Sequence, residues 1–317
     1  MPEVVTLGET LAVLVATSPG PLRYSTHFEL RTGGAESTFA VGIVRLGHSA
    51  GWISRLGNDE FGKLILAMMR GEGVDVSQVK LDSEAPTGVF FKERREAGES
   101  RNYYYRQNSA ASKMKPEDID PQYICSAKYL HLTGITPALS PSCLATVERA
   151  MDIAKECGVL ISFDPNLRLK LWKKERAIPV LLNLIRKADI LFPGIEEAQI
   201  LLGENEPEKI VERFLELGPS IVALKLGSKG ALVANAHQEV YVPAFSVERI
   251  VDPFGAGDAF AAGLITGLLE GLSLEEAGRI ANAMGALALG VTGNIEALPY
   301  RDELIAFMSG NPTIISR

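Results

Sequence analysis

Residues 251–263 read VDPFGAGDAFAAG, which sets two carboxylates, a proline and two glycines directly before an apolar run of helical character. If a helix begins near Ala256, the amides of Gly255, Ala256, Gly257 and Asp258 are donors without intrahelical acceptors, and the glycines let a ligand approach that backbone closely. Such a helix end binds anions, phosphate among them. Phosphoryl transfer asks a protein mainly to position reactants, to stabilise charge on the equatorial oxygens and to accept a proton from the attacking hydroxyl. Asp258, among those amides, is the candidate base. An acid in the first turn of a helix is also an ordinary stabilising choice. Asp252, before the turn and read as a strand end, either orders the loop or acts through a cation and water.

The chain around this segment has the composition of a folded globular protein, with 46% hydrophobic and 22% charged residues. Its 317 residues allow one large core or two domains. A net charge of -7 gives the whole chain no attraction to nucleic acid or to an anionic membrane, so an anion site must be local. Cys125, Cys143 and Cys157 are odd in number and widely spaced, which reads as free thiols in a reducing compartment. His27, His48, His131 and His237 show no metal-ligand spacing. With no apolar run of about 18 residues and no charged-then-apolar leader, a cytoplasmic protein is expected.

The elements that must position the turn alternate regularly. VVTLGE (4–9) reads as a strand, ESTFAVGIVRLG (36–47) as a helix, AGWISRLG as a strand and DEFGKLILAMMRGEG as a helix. The alternation returns after residue 128: KYLHLTG, a helix from Pro141 to Cys157, VLISFD, a helix near 175–187, DILFPG, a helix near 195–203, and SIVALKLG. Strands without a polar face between amphipathic helices imply a mostly parallel sheet covered on both sides. From Gly255 onward the pattern is mainly helical. Residues 87–106, TGVFFKERREAGESRNYYYR, break the rhythm as two strands joined at EAGE. With the extended segment 11–32 they form a small β-rich lid, on a body made of 1–10, 33–86 and 107–317. Lys92, Glu93, Arg94 and Arg95 are expected to protect exposed strand edges.

Two familiar nucleotide motifs fail. GNDEFGKL (57–64) has P-loop spacing, but Leu64 stands where a magnesium-ligating hydroxyl belongs, and Asp59 and Glu60 would face the phosphates. Asp59 is better placed as the start of a helix. LGETLAVL offers one glycine after the first strand where a dinucleotide fold wants three.

DPFGAGDAFAAG resembles the C-terminal signature of the PfkB, or ribokinase-like, carbohydrate kinases, and TGGAESTFAVGIVRLG (32–47) with RLGNDEFG (55–62) resembles their N-terminal signature. The resemblance runs in order over nearly the whole chain. It implies a three-layer α/β/α fold with a β-rich lid, ATP and Mg2+ as cofactors with a monovalent cation left open, and a homodimer formed through the lid. By the same resemblance the 255–258 turn is the anion hole, Asp258 the base, and Gly33 and Gly34 approach the sugar. LKLGSKGAL (224–232) matches the stretch lining the nucleotide, with Lys225, Gly227, Ser228 and Gly230 at what is otherwise a hairpin turn. Asn166 and Asn282 match further nucleotide contacts. Glu197 in FPGIEEA matches an acid that organises magnesium indirectly, and Asp252 is a second metal candidate. Gly194 and Thr38 depart from the pattern, each standing where Asn is usual.

The substrate follows from cations near the lid. Residues two apart in a strand share a face, so Tyr104 and Arg106 point together while Tyr103 and Tyr105 point away. Arg168, in FDPNLR, lies where open α/β sheets place ligands. Two guanidiniums exceed what a neutral sugar needs and suit a carboxylate, although each could equally pair with an Asp or Glu of the chain. YYRQNSAAS, HLTGITPALS and FDPNLRLKLW together resemble the 2-keto-3-deoxygluconate kinases of the family. That resemblance implies a sugar-acid site of Gly34, Tyr104, Arg106 and Arg168, with Phe90 on its wall and Asn294 in a loop that often carries Asp. A neutral-sugar kinase and a catalytically silent sugar-binding protein are the alternatives.

Overall fold

Val4 and Val5 are adjacent and fully buried, yet they pack into two different cores. Successive side chains of a strand point to opposite faces, so such a strand must lie in a sheet covered on both sides. The computed structural model describes residues 1–95 and 100–310. The EAGE turn expected at 96–99 lies outside the described residues.

The first half of the chain runs β1 (Val4–Leu7), β2 (Leu11–Ala16), β3 (Phe28–Gly33), α1 (Ala35–Arg45), β4 (Ala50–Gly57), α2 (Glu60–Gly71), β5 (Val79–Asp82), β6 (Val89–Arg94) and β7 (Ser100–Tyr105). It continues with α3 (Pro121–Cys125), β8 (Tyr129–Thr133), α4 (Thr136–Leu139), α5 (Pro141–Cys157), β9 (Leu160–Asp164), α6 (Lys174–Ile185), β10 (Ile190–Leu191), α7 (Ile195–Leu202) and α8 (Pro207–Leu217). β11 (Ile221–Lys225), β12 (Ala231–Asn235) and β13 (Glu239–Val242) precede α9 (Ala256–Leu269), α10 (Leu274–Ala288) and α11 (Arg301–Met308).

Nine strands form one sheet in the order β13-β12-β11-β10-β9-β8-β1-β4-β5, parallel from β11 to β5 and antiparallel at the β12 and β13 edge. On one face Phe39, Ile43, Ile65, Leu264 and Met284 cover it, and on the other Val147, Met151, Leu181 and Phe214, which makes the three layers. Helices α9 and α10 touch through glycine: a Cβ on Gly267 would lie 2.6 Å from the Cβ of Ala277. Asp59 caps α2, accepting from the amides of Gly62 at 2.8 Å and Thr87 at 2.8 Å, which is the role its place in the sequence predicts.

A second sheet, ordered β3-β2-β6-β7, stands apart and has its own small core of Leu11, Val13, Val15 and Phe90. β6 is an inner strand of it, which corrects the expectation that Lys92 and Glu93 guard an edge. Both are buried: Glu93 binds Arg95 at 2.7 Å and the Leu22 amide at 2.9 Å, and Lys92 binds Asp252.

The thiols also differ from expectation. Cys125 and Cys157 are joined in a disulfide, and Cys143 is free and buried. The reason is tertiary: α3 and α5 end side by side, with Cα atoms 5.4 Å apart, inside the span a disulfide bridges. Closing a chain segment of 32 residues restricts the unfolded ensemble by roughly 3–4 kcal/mol in the chain-entropy account. Cys125→Ser is therefore expected to lower the midpoint of denaturant unfolding under oxidising conditions and to match the wild type under dithiothreitol; equal midpoints in both buffers would show that the bridge adds no stability.

Candidate active site

Parallel sheets place ligands beyond the carboxyl ends of their strands, and here a cleft of about 860 Å³ opens between those ends and the inner face of the small sheet. β1 delivers Glu9 just past its end, β9 ends on Asp164 and β11 on Lys225, while Phe90 and Tyr104 face them from the small sheet.

Helix α9 points its first turn into this cleft. Gly255, its N-cap, has φ +80°, a backbone that favours glycine, and no side chain caps the helix. The first bond across the cap runs from the Ala259 amide to the Gly255 carbonyl at 2.8 Å, so the preceding turn keeps its donors for a ligand. Asp258 is buried and lines the cleft, with no hydrogen bond or ion pair to its carboxyl among the described residues. Burial, and after it the charge of Asp164, pushes its pKa up from 3.8 to about 7, against the opposing pull of Arg168 and Lys225.

The Lys225 ammonium bonds Asp164 at 2.6 Å and lies 3.5 Å from where a Cβ of Gly257 would stand, which puts a fixed cation beside the amides. Its pKa is raised despite burial, because Asp164 and Glu197 favour the charged form. Glu197 lines the cleft and accepts from the amides of Leu167 at 2.7 Å and Gly194 at 2.9 Å; burial and Asp164 raise its pKa. Gly194, the N-cap of α7, thus engages Glu197 through its backbone amide. Asn166, at φ +36°, turns the chain after β9 and gives its amide to Asp164 at 3.0 Å.

On the other side, Phe90 and Tyr104 pack with ring centroids 5.0 Å apart and planes tilted by 34°, and both line the cleft with Gly33, Gly34, Arg106, Arg168 and Asn294. Tyr103 and Tyr105 face away, onto a shallow depression with Leu22, Phe28 and Phe91, as the period of two requires. Arg106 is paired: its Nε bonds the fully buried Glu9 carboxylate at 2.7 Å, so the two expected cations reduce to one with charge to spare. Arg168 is exposed at the cleft and has no carboxylate partner among the described residues. Asn294 leans over Gly33, its Oδ1 3.2 Å from where a Cβ would stand, and its backbone abuts Gly255.

Beneath these, Glu36 of α1 is buried and accepts from Thr133 at 2.7 Å and Thr136 at 2.8 Å, and its other oxygen has no partner. Burial raises its pKa. The carboxyl lies flat on Gly8, where a Cβ would fall 2.1 Å from its carbon. Thr38 is buried with its hydroxyl unpartnered, and its methyl lies 3.5 Å from where a Cβ of Gly255 would stand.

Several expected site residues do not line the cleft itself. Ala256, Gly227, Ser228, Gly230 and Asn282 are outside the cleft lining, and the Asn282 amide donates to the carbonyls of Val242 at 2.9 Å and Pro243 at 3.1 Å. Asp252 follows no strand, since β13 ends at Val242; its carboxylate holds Lys92 and the amides of Phe254 and Gly293, which orders the loop and corrects the metal reading. Glu9, Glu36, Asp164 and Lys170 line the cleft unforeseen. Glu9 and Asp164 carried a legible signal, an acid at or just past a parallel strand end. Among the described residues no cluster of three or more His, Cys, Asp or Glu is arranged to hold a metal, and no helix is long and apolar enough to cross a membrane.

The profile described as pfkB family carbohydrate kinase matches residues 1–301. A 2-dehydro-3-deoxygluconokinase of Bacillus subtilis (strain 168) is 40% identical over 314 residues, covering 98% of this chain and 97% of that protein. One from Thermoproteus tenax is 41% identical, covering 94% and 92%. The crystal structure of a putative ribokinase II from E. coli in complex with ATP and Mg+2 superposes with a TM-score of 0.91 at 29% identity, covering 98% of this chain and 100% of that one.

The balance around Asp258 is open to measurement. Carbon-13 NMR of labelled aspartate should show one carboxyl titrating near pH 7 and absent from Asp258→Asn, and Lys225→Met should move that midpoint upward by removing a cation. A midpoint near 4 would contradict the electrostatics described.

Proposed function

The chain belongs to the pfkB family of carbohydrate kinases, and from that premise we propose that it transfers the terminal phosphoryl group of ATP to the terminal hydroxyl of 2-keto-3-deoxygluconate. The product is 2-keto-3-deoxy-6-phosphogluconate. The observation that carries this reading is Asp258, buried without an ion-pair partner at the uncapped start of α9, in a cleft shared with Arg168 and Tyr104.

In this reading the sugar acid lies between the small sheet and the strand ends, with its carboxylate at Arg168 and its body against Phe90 and Tyr104. Gly33 and Gly34 give it close backbone approach, and Asn294 faces it across Gly33. The substrate hydroxyl gives its proton to ionised Asp258 as its oxygen attacks, while the amides of Gly255, Ala256 and Gly257 stabilise the transferring group. The Lys225 ammonium adds positive charge beside those amides. Both cited relatives are named as kinases of this sugar acid, which supports the assignment.

ATP is the proposed donor, with Asn166, Gly227, Ser228, Gly230 and Asn282 along its path. Magnesium bound with it would supply positive charge against the phosphates. Glu197 and Asp164 would hold that ion, and because each of their oxygens already accepts from an amide or the Lys225 ammonium, contact through coordinated water suits them. We propose a cytoplasmic setting for this ATP-dependent step, although the Cys125–Cys157 disulfide removes the thiol argument for it. Leu30, Tyr103 and Tyr105, exposed on the outer face of the small sheet, are the proposed contact with a second copy.

Three measurements test the site. Asp258→Asn should lower kcat about a hundredfold or more with the sugar acid still bound, and wild-type kcat/KM should fall about tenfold per unit below pH 7, as the base is protonated. Arg168→Ala should raise KM for the keto-acid roughly tenfold to a hundredfold, in line with one charged hydrogen bond, and leave weak activity on fructose alone. Equal losses on both sugars would favour a neutral-sugar kinase.

A further inference from the structure

The turn that presents the anion-binding amides is pinned from the other sheet. Asp252 is 3% exposed, and its carboxylate accepts from the amides of Phe254 and Gly293, each at 3.2 Å. Those two contacts join the turn before α9 to the loop that carries Asn294. They leave a buried negative charge that needs a cation. The Lys92 ammonium meets it: Lys92 lies on β6, 160 residues away in sequence, with its side chain 8% exposed. Its Nζ also sits 4.5 Å from the centroid of the Phe254 ring, within cation–π range, so the ammonium touches both ends of the Asp252–Phe254 segment.

We infer that Lys92 is a positioning residue for phosphoryl transfer, its ammonium serving as the resident cation of the 252–257 turn in place of a dissociable monovalent ion. The inference rests on the kinase reading. An ammonium occupies the carboxylate face that a free K+ or Na+ would take, so the residues present do not fit such an ion at Asp252. The cation is also covalently part of the small sheet, so the position of that sheet and the aim of the amides are set together. A free ion could not transmit that displacement.

The test compares the wild type with Lys92→Ala, which opens a space the size of an alkylammonium head, and Lys92→Met, which keeps the volume and removes the charge. In wild type, kcat and the thermal midpoint should be the same in potassium, sodium and choline chloride at equal ionic strength. Lys92→Ala should lose roughly a hundredfold in kcat with a smaller change in KM for the sugar, and ammonium or methylammonium should restore at least tenfold of it. The same ions, against choline, should raise the Lys92→Ala midpoint, a readout that needs no turnover. Lys92→Met should lose a similar factor and show no recovery. A wild-type midpoint or kcat that rises with potassium overturns the inference, as does a folded Lys92→Ala that neither recovers nor is stabilised by any of these cations, or a Lys92→Met of normal kcat. A wild type that transfers no phosphoryl group to any sugar refutes the kinase reading instead, and the midpoints still decide whether Lys92 is the cation of the turn.

Discussion

A carboxyl hidden from water holds its proton, and a carboxyl beside bare amides and ammonium groups gives it up. Asp258 stands between those two tendencies, and the architecture around it serves to keep it there. Burial and the Asp164 charge push one way; Lys225 and Arg168 push the other. Asp164 ends β9, Arg168 lies in the loop that follows it and Lys225 ends β11, so the balance exists only because β9, β11 and α9 converge at one edge of the sheet. The left-handed turn at Gly255 costs a glycine little, whereas a helix start without a side-chain cap leaves its amides unsatisfied until a ligand meets them.

The small sheet completes the cleft and makes it selective. Its inner face supplies an aromatic wall, while the Glu9–Arg106 pair sits at the junction of the two sheets. Neutralising one of the two arginines leaves Arg168, with Lys170 beside it on the cleft wall, as the cationic side for an acidic group. The outer face of the same sheet carries a different set of aromatic side chains, separated from the first by nothing more than the alternation of a strand.

Local chemistry was the part of this protein that could be read in advance. The start of α9, the capping role of Asp59, the shared face of Tyr104 and Arg106 and the alternating body all depend on neighbours a few residues apart. What stayed hidden were meetings between distant residues: Glu9 with Arg106, 97 apart, Cys125 with Cys157, 32 apart, and Lys92 with Asp252, 160 apart. Charge type at each position was visible, but a lysine in a charged hairpin looks the same whether it faces solvent or a buried partner. The Gly227–Gly230 turn shows the converse case, a glycine pattern that could be recognised although its place relative to the cleft could not.

Glu36 pressed flat on Gly8 has a historical consequence. No side chain larger than hydrogen fits at position 8 while a carboxyl occupies that space, and a shortened residue at position 36 would leave a void that position 8 is then free to fill. A side chain at position 8 therefore requires a shorter residue at position 36 first, whereas position 36 can shorten while glycine stays at position 8.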